Sequence, residues 1–297
     1  MITDSFSSFH PIVNFTYFSA VLLFSMFFMH PVFLGISFVS AFVYSVMLKG
    51  RKAVKFNMLY MMPLLLFMAI INPTFNHQGV TILFYLKGGN PITLESILFG
   101  VASACMFVTV ILWFSCYNAV MTSDKFIYLF GRIIPGLSLI LSMVLRFVPR
   151  YTAQIKVISN AQKCVGRDVT QGNVIAKARN GIKILSIMTT WALENAIETA
   201  DSMRARGYGL PKRTSFSIFR FDNRDKVTFA VMAGLIVIVL IGAVTGENTM
   251  RFFPSIKTIN ITIFSLVIYT AYFILCILPV IINIMEEIKW KYIVSRI

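Results

Sequence analysis

Six apolar runs divide this chain: Ile12 to Met29, Val32 to Leu48, Met58 to Ile71, Ile97 to Val120, Val227 to Val244 and Ile259 to Ile284. Most approach the roughly 20 residues that a helix needs to cross a bilayer core. In hydrocarbon each backbone N–H and C=O must find a partner within the chain, so such runs restrict the fold to a helical bundle. Only 13% of the residues are charged, against roughly 25% in soluble domains. The expectation is an all-α integral membrane protein with about six transmembrane helices. Met58 to Ile71 is short, and Pro63 within it predicts an extension or a kink. Because only His30-Pro31 separates the first two runs, they should form a tight helical hairpin. No Lys or Arg precedes the first run and no small-residue cleavage site follows it, so it reads as a retained span.

Loop charge sets orientation, because Lys and Arg accumulate on the cytoplasmic side. Lys49, Arg51, Lys52 and Lys55 are therefore expected inside. The loop Asn72 to Glu95, rich in Asn, Gly and Pro with Lys87 as its one Lys or Arg, is expected outside. Lys125 and Arg132, and then Lys289, Lys291 and Arg296, return the chain to the inside. This pattern gives an even number of spans with both termini cytoplasmic.

The formal charge of +15 is concentrated in one place. Arg146 to Lys226 holds fifteen of the 27 Lys and Arg residues against six acids. Three regions follow: 1–123 with the first spans, a cytoplasmic or interfacial helical insertion at 124–226, and 227–297 with the last spans and a basic tail. Within the insertion, Ile133 to Val148 is apolar but too short for a comfortable span, and should lie at the membrane surface and leave it near Pro149. Ile155, Ile158, Ala161 or Gln162, and Val165 then recur at helical spacing, with Lys156, Asn160 and Lys163 opposite. Gly166 ends that helix, and Arg167 to Gly181 reads as a polar connection that includes at most a short helix.

The next helix is expected from about Ile182. Ala192, Ala196 and Ala200 place a small residue at every fourth position, which permits close helix packing. Asp201 is spaced to pair with Arg204. Gly207 and Gly209 supply a left-handed C-cap, Pro211 stops the helix, and Arg204 and Arg206 complement its negative end. The result is a rod with a cationic, hydrogen-bond-donating tip, followed by Lys212, Arg213, Arg220 and Arg224.

The setting ADSMRARGYGLP, with Ala205-Arg206-Gly207 at its centre, resembles the Ala-Arg-Gly signature of the T components of energy-coupling-factor (ECF) transporters, the CbiQ-like subunits of bacterial micronutrient importers. The resemblance extends over the hairpin at His30-Pro31, the run Leu145-Arg146-Phe147-Val148-Pro149 and Ala161-Gln162. It implies two cytoplasmic coupling helices whose tips each dock in a groove of an ATP-binding-cassette ATPase. Where the family reads Ala-Gln-x-Ala-Arg-Gly, this chain has Ala161-Gln162-Lys163-Cys164-Val165-Gly166, so Val165 stands at the Arg position and Arg167 follows two residues later. Implied partners are two ATPase subunits, a small substrate-binding membrane subunit (S component) and membrane lipid, without nucleic acid. Implied cofactors are none in this chain, with ATP and Mg in the ATPases. The implied place is the bacterial cytoplasmic membrane, and the implied role is vitamin or other micronutrient uptake without catalysis.

Two other readings stay open: a membrane-anchored basic scaffold for anionic lipid or nucleic acid, and the permease of an ordinary ABC importer. Ser, Asn and Ala interleave the charges, so stacking platforms for nucleic acid are not apparent. No GxxxxGK[ST], HExxH or GxSxG arrangement occurs. The spans lack the ionisable residues that line proton or ion paths, against a stand-alone secondary transporter. Cys105, Cys116, Cys164 and Cys276 are scattered and read as small core residues. His10, His30 and His77 are isolated and read as interfacial or loop residues rather than metal ligands.

Overall fold

A computed structural model describes residues 4–85, 90–131, 134–170, 172–210, 219–256 and 262–295. Lys87, Arg132, Pro211, Lys212, Arg213 and Arg296, to which the sequence reading gave roles, lie outside the described residues. The chain divides into two compact units, Met1–Phe126 with Phe219–Ile297, and Ile127–Ile218.

The first unit carries the spans. They are α1 (Pro11–Phe27), α2 (Pro31–Lys49), α3 (Arg51–Phe56) running through a π-helical segment (Asn57–Met61) into α4 (Met62–Phe75), α5 (Leu94–Val120), α9 (Asn223–Val244) and α10 (Ile263–Val294). Among the described residues five helices are long and apolar enough to cross a membrane, and α1, at 17 residues, is the shorter sixth. The short run at Met58 is part of a continuous 25-residue span, Arg51–Phe75. Pro63 lies inside that continuous span, directly after the π-helical turn Asn57–Met61, which absorbs the change of register at a residue without an N–H.

Three residues join α1 to α2, and the two His-Pro pairs are N-caps. The Nδ1 atoms of His10 and His30 accept from the amides of Ile12 and Val32, each at 3.3 Å, and each proline occupies the first helical position. This gives both histidines a structural role at helix ends.

The core is aromatic. Trp113 of α5 is fully buried between Tyr17 and Phe18 of α1, with ring centroids 6.1 and 6.4 Å away. Its indole N–H donates to Ser37 Oγ of α2 at 2.9 Å, Ser37 meets Ser25 of α1 at 2.7 Å, and Tyr17 donates to the Cys276 carbonyl of α10 at 2.9 Å. Four helices are thus tied by hydrogen bonds in a setting where water offers no alternative, each bond contributing about 0.6–2 kcal/mol.

Ahead of α1 a strap comprising Asp4 to His10 crosses one end of the bundle. Phe6 and Phe9 are buried. Asn283 of α10 accepts the amides of Ser5 and Phe6 and donates to Asp4 at 2.6 Å, while Tyr44 of α2 donates to Asp4 at 3.2 Å. Lys125 of α6 (Ser123–Gly131) donates to the carbonyls of Ser7 and Val120. Arg224 of α9 lies 4.2 Å over Phe9, bonds Ser8 and pairs with Glu286 at 2.9 Å. Asp225 accepts the His10 amide at 3.3 Å. Lys125 and Arg224, which composition presents as loop cations, are therefore structural clasps on either side of the second unit's sequence. Burial lowers the Lys125 pKa, and the charge of Asp4 opposes that shift.

The loop outside α4 is not irregular throughout. It holds a two-stranded antiparallel hairpin, β1 (Ile82–Tyr85) and β2 (Pro91–Thr93), with a bulge between Ile82 and Phe84.

The second unit contains α7 (Pro135–Cys164) and α8 (Val174–Ala205). Here the structure corrects the sequence reading. Pro149 lies inside one continuous helix and does not separate a surface helix from an amphipathic one. Phe147 and Tyr151 stack across it, centroids 5.6 Å apart and nearly parallel, and fasten the turns on either side. Helix α8 starts at Val174, not near Ile182: Asn173 caps it, accepting the Val174 amide at 2.7 Å, and Gly181 sits within the helix. Cys164 is exposed and so is not a core residue.

Candidate functional site: the tips of two helices

Of the apolar positions predicted for α7 only Ile158 is buried, and it joins Ile184 and Met188 of α8, with Tyr151, Val169 and Trp191 packed around them. Ile155 and Val165 are exposed. Arg150 stands over the Trp191 ring at 5.4 Å and bonds Asn195 at 2.6 Å. The stripe of α8 that meets α7 is therefore Ile184, Met188, Trp191 and Asn195. Ala192 is half-buried, while Ala196 and Ala200 are exposed on another face.

Beyond these contacts both helices run on. At about 1.5 Å per residue, α8 extends roughly 16 Å from Asn195 to Arg206, and α7 roughly 10 Å from Ile158 to Val165.

Both ends close in the same way. At α7 the amide of Gly166 returns to Lys163 O at 3.0 Å and that of Arg167 to Gln162 O at 2.9 Å. At α8 the amide of Gly207 returns to Arg204 O and that of Tyr208 to Met203 O, each at 3.0 Å. Gly166 and Gly207 have φ of 76° and 79°. These are two Schellman caps, in which glycine takes the left-handed position. Val165 and Arg206 are the corresponding C-cap residues, and Arg167 falls two places beyond Val165, past the glycine.

Around the second tip Arg204, Ala205 and Arg206 are exposed, and among the described residues neither arginine is in an ion pair. The expected Asp201 to Arg204 pair does not form. Both side chains are exposed, where such a pair contributes little and solvation competes. Around the first tip Ala161, Gly166 and Arg167 are exposed and Gln162 is half-buried, its Oε1 buried without a partner among the described residues. Lys163 pairs with Asp168 at 3.6 Å. Asp168 also accepts from the Thr170 amide at 2.9 Å and the Thr170 hydroxyl at 2.7 Å, and its backbone carbonyl accepts from Asn180. The bonds from Thr170, with the charge of Lys163 adding less, hold the Asp168 carboxyl below its usual 3.8. The sequence reading missed this acid-anchored turn and the Asn173 cap; Asp168-x-Thr170 was the available signal.

The profile described as cobalt transport protein, CbiQ, matches residues 5–218, more than half of the chain. The chain belongs to the CbiQ family. Among curated relatives, an energy-coupling factor transporter transmembrane protein EcfT from Leuconostoc gelidum subsp. gasicomitatum is 31% identical over 186 residues, covering 59% of this chain and 69% of that protein. EcfT proteins from Lacticaseibacillus paracasei and Streptococcus thermophilus are 35% and 38% identical over 106 and 107 residues. Those two matches cover 34% and 35% of this chain and 40% of each relative. The resemblance carried by the second tip thus leads to the same family, the T components of ECF transporters. These are names of a membrane transport subunit, in agreement with the apolar helices of the first unit.

Proposed function

We propose that the chain is the non-catalytic coupling subunit of an ATP-driven importer, and that the ends of α7 and α8 grip two ATPase subunits from the cytoplasm. The observation that carries this reading is the exposed Arg206, fixed at the C-cap of a 32-residue helix by a Schellman turn. A guanidinium is always charged and presents five donors in a planar fork, so a partner's carboxylates or carbonyls can hold it with defined geometry. The adjoining Gly207 lets a partner backbone approach. When two ATPases close and reopen, rods held at their tips are drawn with them, and the motion passes to a membrane subunit that captures a vitamin or other micronutrient. The exposed Ala196 and Ala200, with Ala192, offer that subunit a face where helices approach closely. ATP and Mg belong to the ATPases, and the setting is the bacterial cytoplasmic membrane with both termini inside.

The test is to replace Arg206 by Glu and by Lys and to measure ATPase co-purification and substrate uptake. Glu should abolish both and Lys should restore them incompletely. Unchanged assembly and uptake in the Glu variant would sink the proposal. Retention of nucleic acid without ATPases would favour the scaffold reading, and a co-purifying solute-binding protein the ordinary permease.

A further inference from the structure

The hairpin between α4 and α5 is built inside out relative to a water-exposed loop. Its polar groups turn toward its own base. The Thr81 hydroxyl donates to the Glu95 carboxylate at 2.9 Å and its amide to the same group at 3.2 Å. The Thr93 hydroxyl donates to the Gln78 carbonyl at 2.8 Å, and the Ser96 hydroxyl to the Asn76 carbonyl at 2.6 Å. Thr93, Glu95 and Ser96 are all buried. The apolar side chains turn away: Ile82, Leu83, Phe84 and Tyr85 are all exposed, the last two at 56% and 65%. A strand on a water-washed sheet alternates one apolar face with one polar face. Here the residues are apolar at every position, and the bulge between Ile82 and Phe84 breaks the two-residue alternation.

The position of the hairpin says which phase meets it. It joins the C-terminal end of α4 to the N-terminal end of α5, while the other end of α5, at Val120, is bonded to Lys125 in the strap cluster. It therefore stands at the bundle end opposite the strap, at the mouths of two spans. On the two spans that it joins, Leu66, Phe67, Ile70 and Phe75 of α4 and Leu94, Leu98 and Val101 of α5 are exposed, as lipid-facing residues are. The residues of β1 carry no charge or side-chain amide that would favour water over the lipid boundary.

We propose that β1 is a membrane-interface anchor whose side chains enter the boundary between headgroups and acyl chains of the leaflet around the ends of α4 and α5. Removing a large apolar side chain from water contributes about 1.5–3 kcal/mol, so the strand gains by leaving the aqueous loop environment. The hydrocarbon interior is closed to it, because a two-stranded hairpin leaves edge amides and carbonyls that only water or headgroups can satisfy. Between these limits lies the interfacial layer, where aromatic rings are enriched and the Tyr85 hydroxyl meets polar headgroups. The polar base, fixed by Thr81, Thr93 and Glu95, keeps the strand at that height.

Phe84→Trp and Tyr85→Trp test this separately in the full chain, with its co-purifying subunits, reconstituted into phosphatidylcholine nanodiscs. The emission added by the new indole is obtained by subtracting the parent protein, which contains three tryptophans. In discs made with phospholipid brominated near the headgroup end of its acyl chains, each variant should lose most of that added emission. The anchor is overturned if brominated lipid leaves it unchanged in both variants. Aqueous iodide then reports what covers the strand: quenching places it in water, and no quenching places it beneath protein.

Discussion

At the end of α7 the chain turns through Val165 and Gly166, and at the end of α8 through Arg206 and Gly207, with the same two return hydrogen bonds and nearly the same glycine φ. A third helix, α9, closes likewise through Thr245 and Gly246, whose following amide returns to Gly242 O at 3.1 Å. The backbone device is thus general in this molecule. What differs is the side chain it presents: a methyl pair at Val165, a guanidinium at Arg206 and a hydroxyl at Thr245. The surroundings differ too, since Lys163 beside the first tip is tied to Asp168, whereas Arg204 and Arg206 are outside the ion pairs of the described residues. The two ends of α7 and α8 are equivalent as folds and unequal as cationic contacts.

The sharpest way to break this comparison is to truncate both C-cap side chains. Losing one partner of a buried, hydrogen-bonded charge pair costs about 2–5 kcal/mol. Arg206→Ala should therefore weaken ATPase binding at least roughly 30-fold at about 1.4 kcal/mol per tenfold. Val165→Ala, which removes two methyl groups from an exposed site, should change affinity less than about threefold, within the usual ±0.5 kcal/mol of surface substitutions. Titrating purified ATPase against each variant in nanodiscs measures both. Equal losses would show that the tips contact through backbone and shape, not through charge.

The reverse exchange comes next in size. Val165→Arg puts a guanidinium on a cap already folded to present it, and a hydrogen bond to a charged group contributes about 1.5–3 kcal/mol. Affinity should rise about tenfold, and the same substitution should partly rescue Arg206→Ala. If neither occurs, the first groove is shaped for something other than arginine.

Smaller effects are expected at the glycines, where both ends should lose stability. A left-handed conformation costs an L-residue roughly 1–2 kcal/mol, so Gly166→Ala and Gly207→Ala should each lower unfolding stability by about that much. Gly207→Ala should be the worse, because its Cβ would stand 3.0 Å from Leu210 Cδ1, whereas nothing lies within 4 Å of one at Gly166. Thermal unfolding of each variant provides the measurement.

Much of this architecture is legible in the sequence because lipid removes alternatives. A run such as Ile97 to Val120 can hardly be anything but a helix, and α5 ends at Val120. The second tip is legible because Gly207, having no Cβ, favours the left-handed cap and Arg206 carries its charge in its own side chain. What escaped was decided by contacts distant in sequence. Pro149 reads as a break because the stacking of Phe147 on Tyr151 that supports the helix through it is not a local propensity. Lys125 and Arg224 read as topology signals because their partners, Ser7 and Glu286, are 118 and 62 residues away. The alanine stripe is visible, but the residues that meet α7 are Met188 and Trp191, one face around, because large side chains fill the crossing.

The smallest expected effect concerns the acid that only the first tip possesses. Asp168 has its pKa lowered by the Thr170 hydrogen bonds and, less, by Lys163. A carboxyl whose folded pKa is depressed contributes its stabilisation above the unfolded pKa and loses it as pH falls through the folded one. The turn after Gly166 should thus be fully ordered above about pH 4, near the unfolded carboxyl value, and loosen only below the usual 3.8. Amide exchange at Thr170, corrected for its intrinsic pH dependence, should accelerate there while that at Tyr208, whose amide bonds Met203 O, should not. Asp168→Asn should abolish the pH response of Thr170 and leave ATPase affinity within a factor of about two, as for a surface substitution outside the contact, because the Asp168 carboxylate is engaged by its own turn through Thr170 and Lys163. A larger change in affinity would mean that this acid-anchored turn belongs to the contact, and that the first tip compensates for Val165 with the loop beyond it.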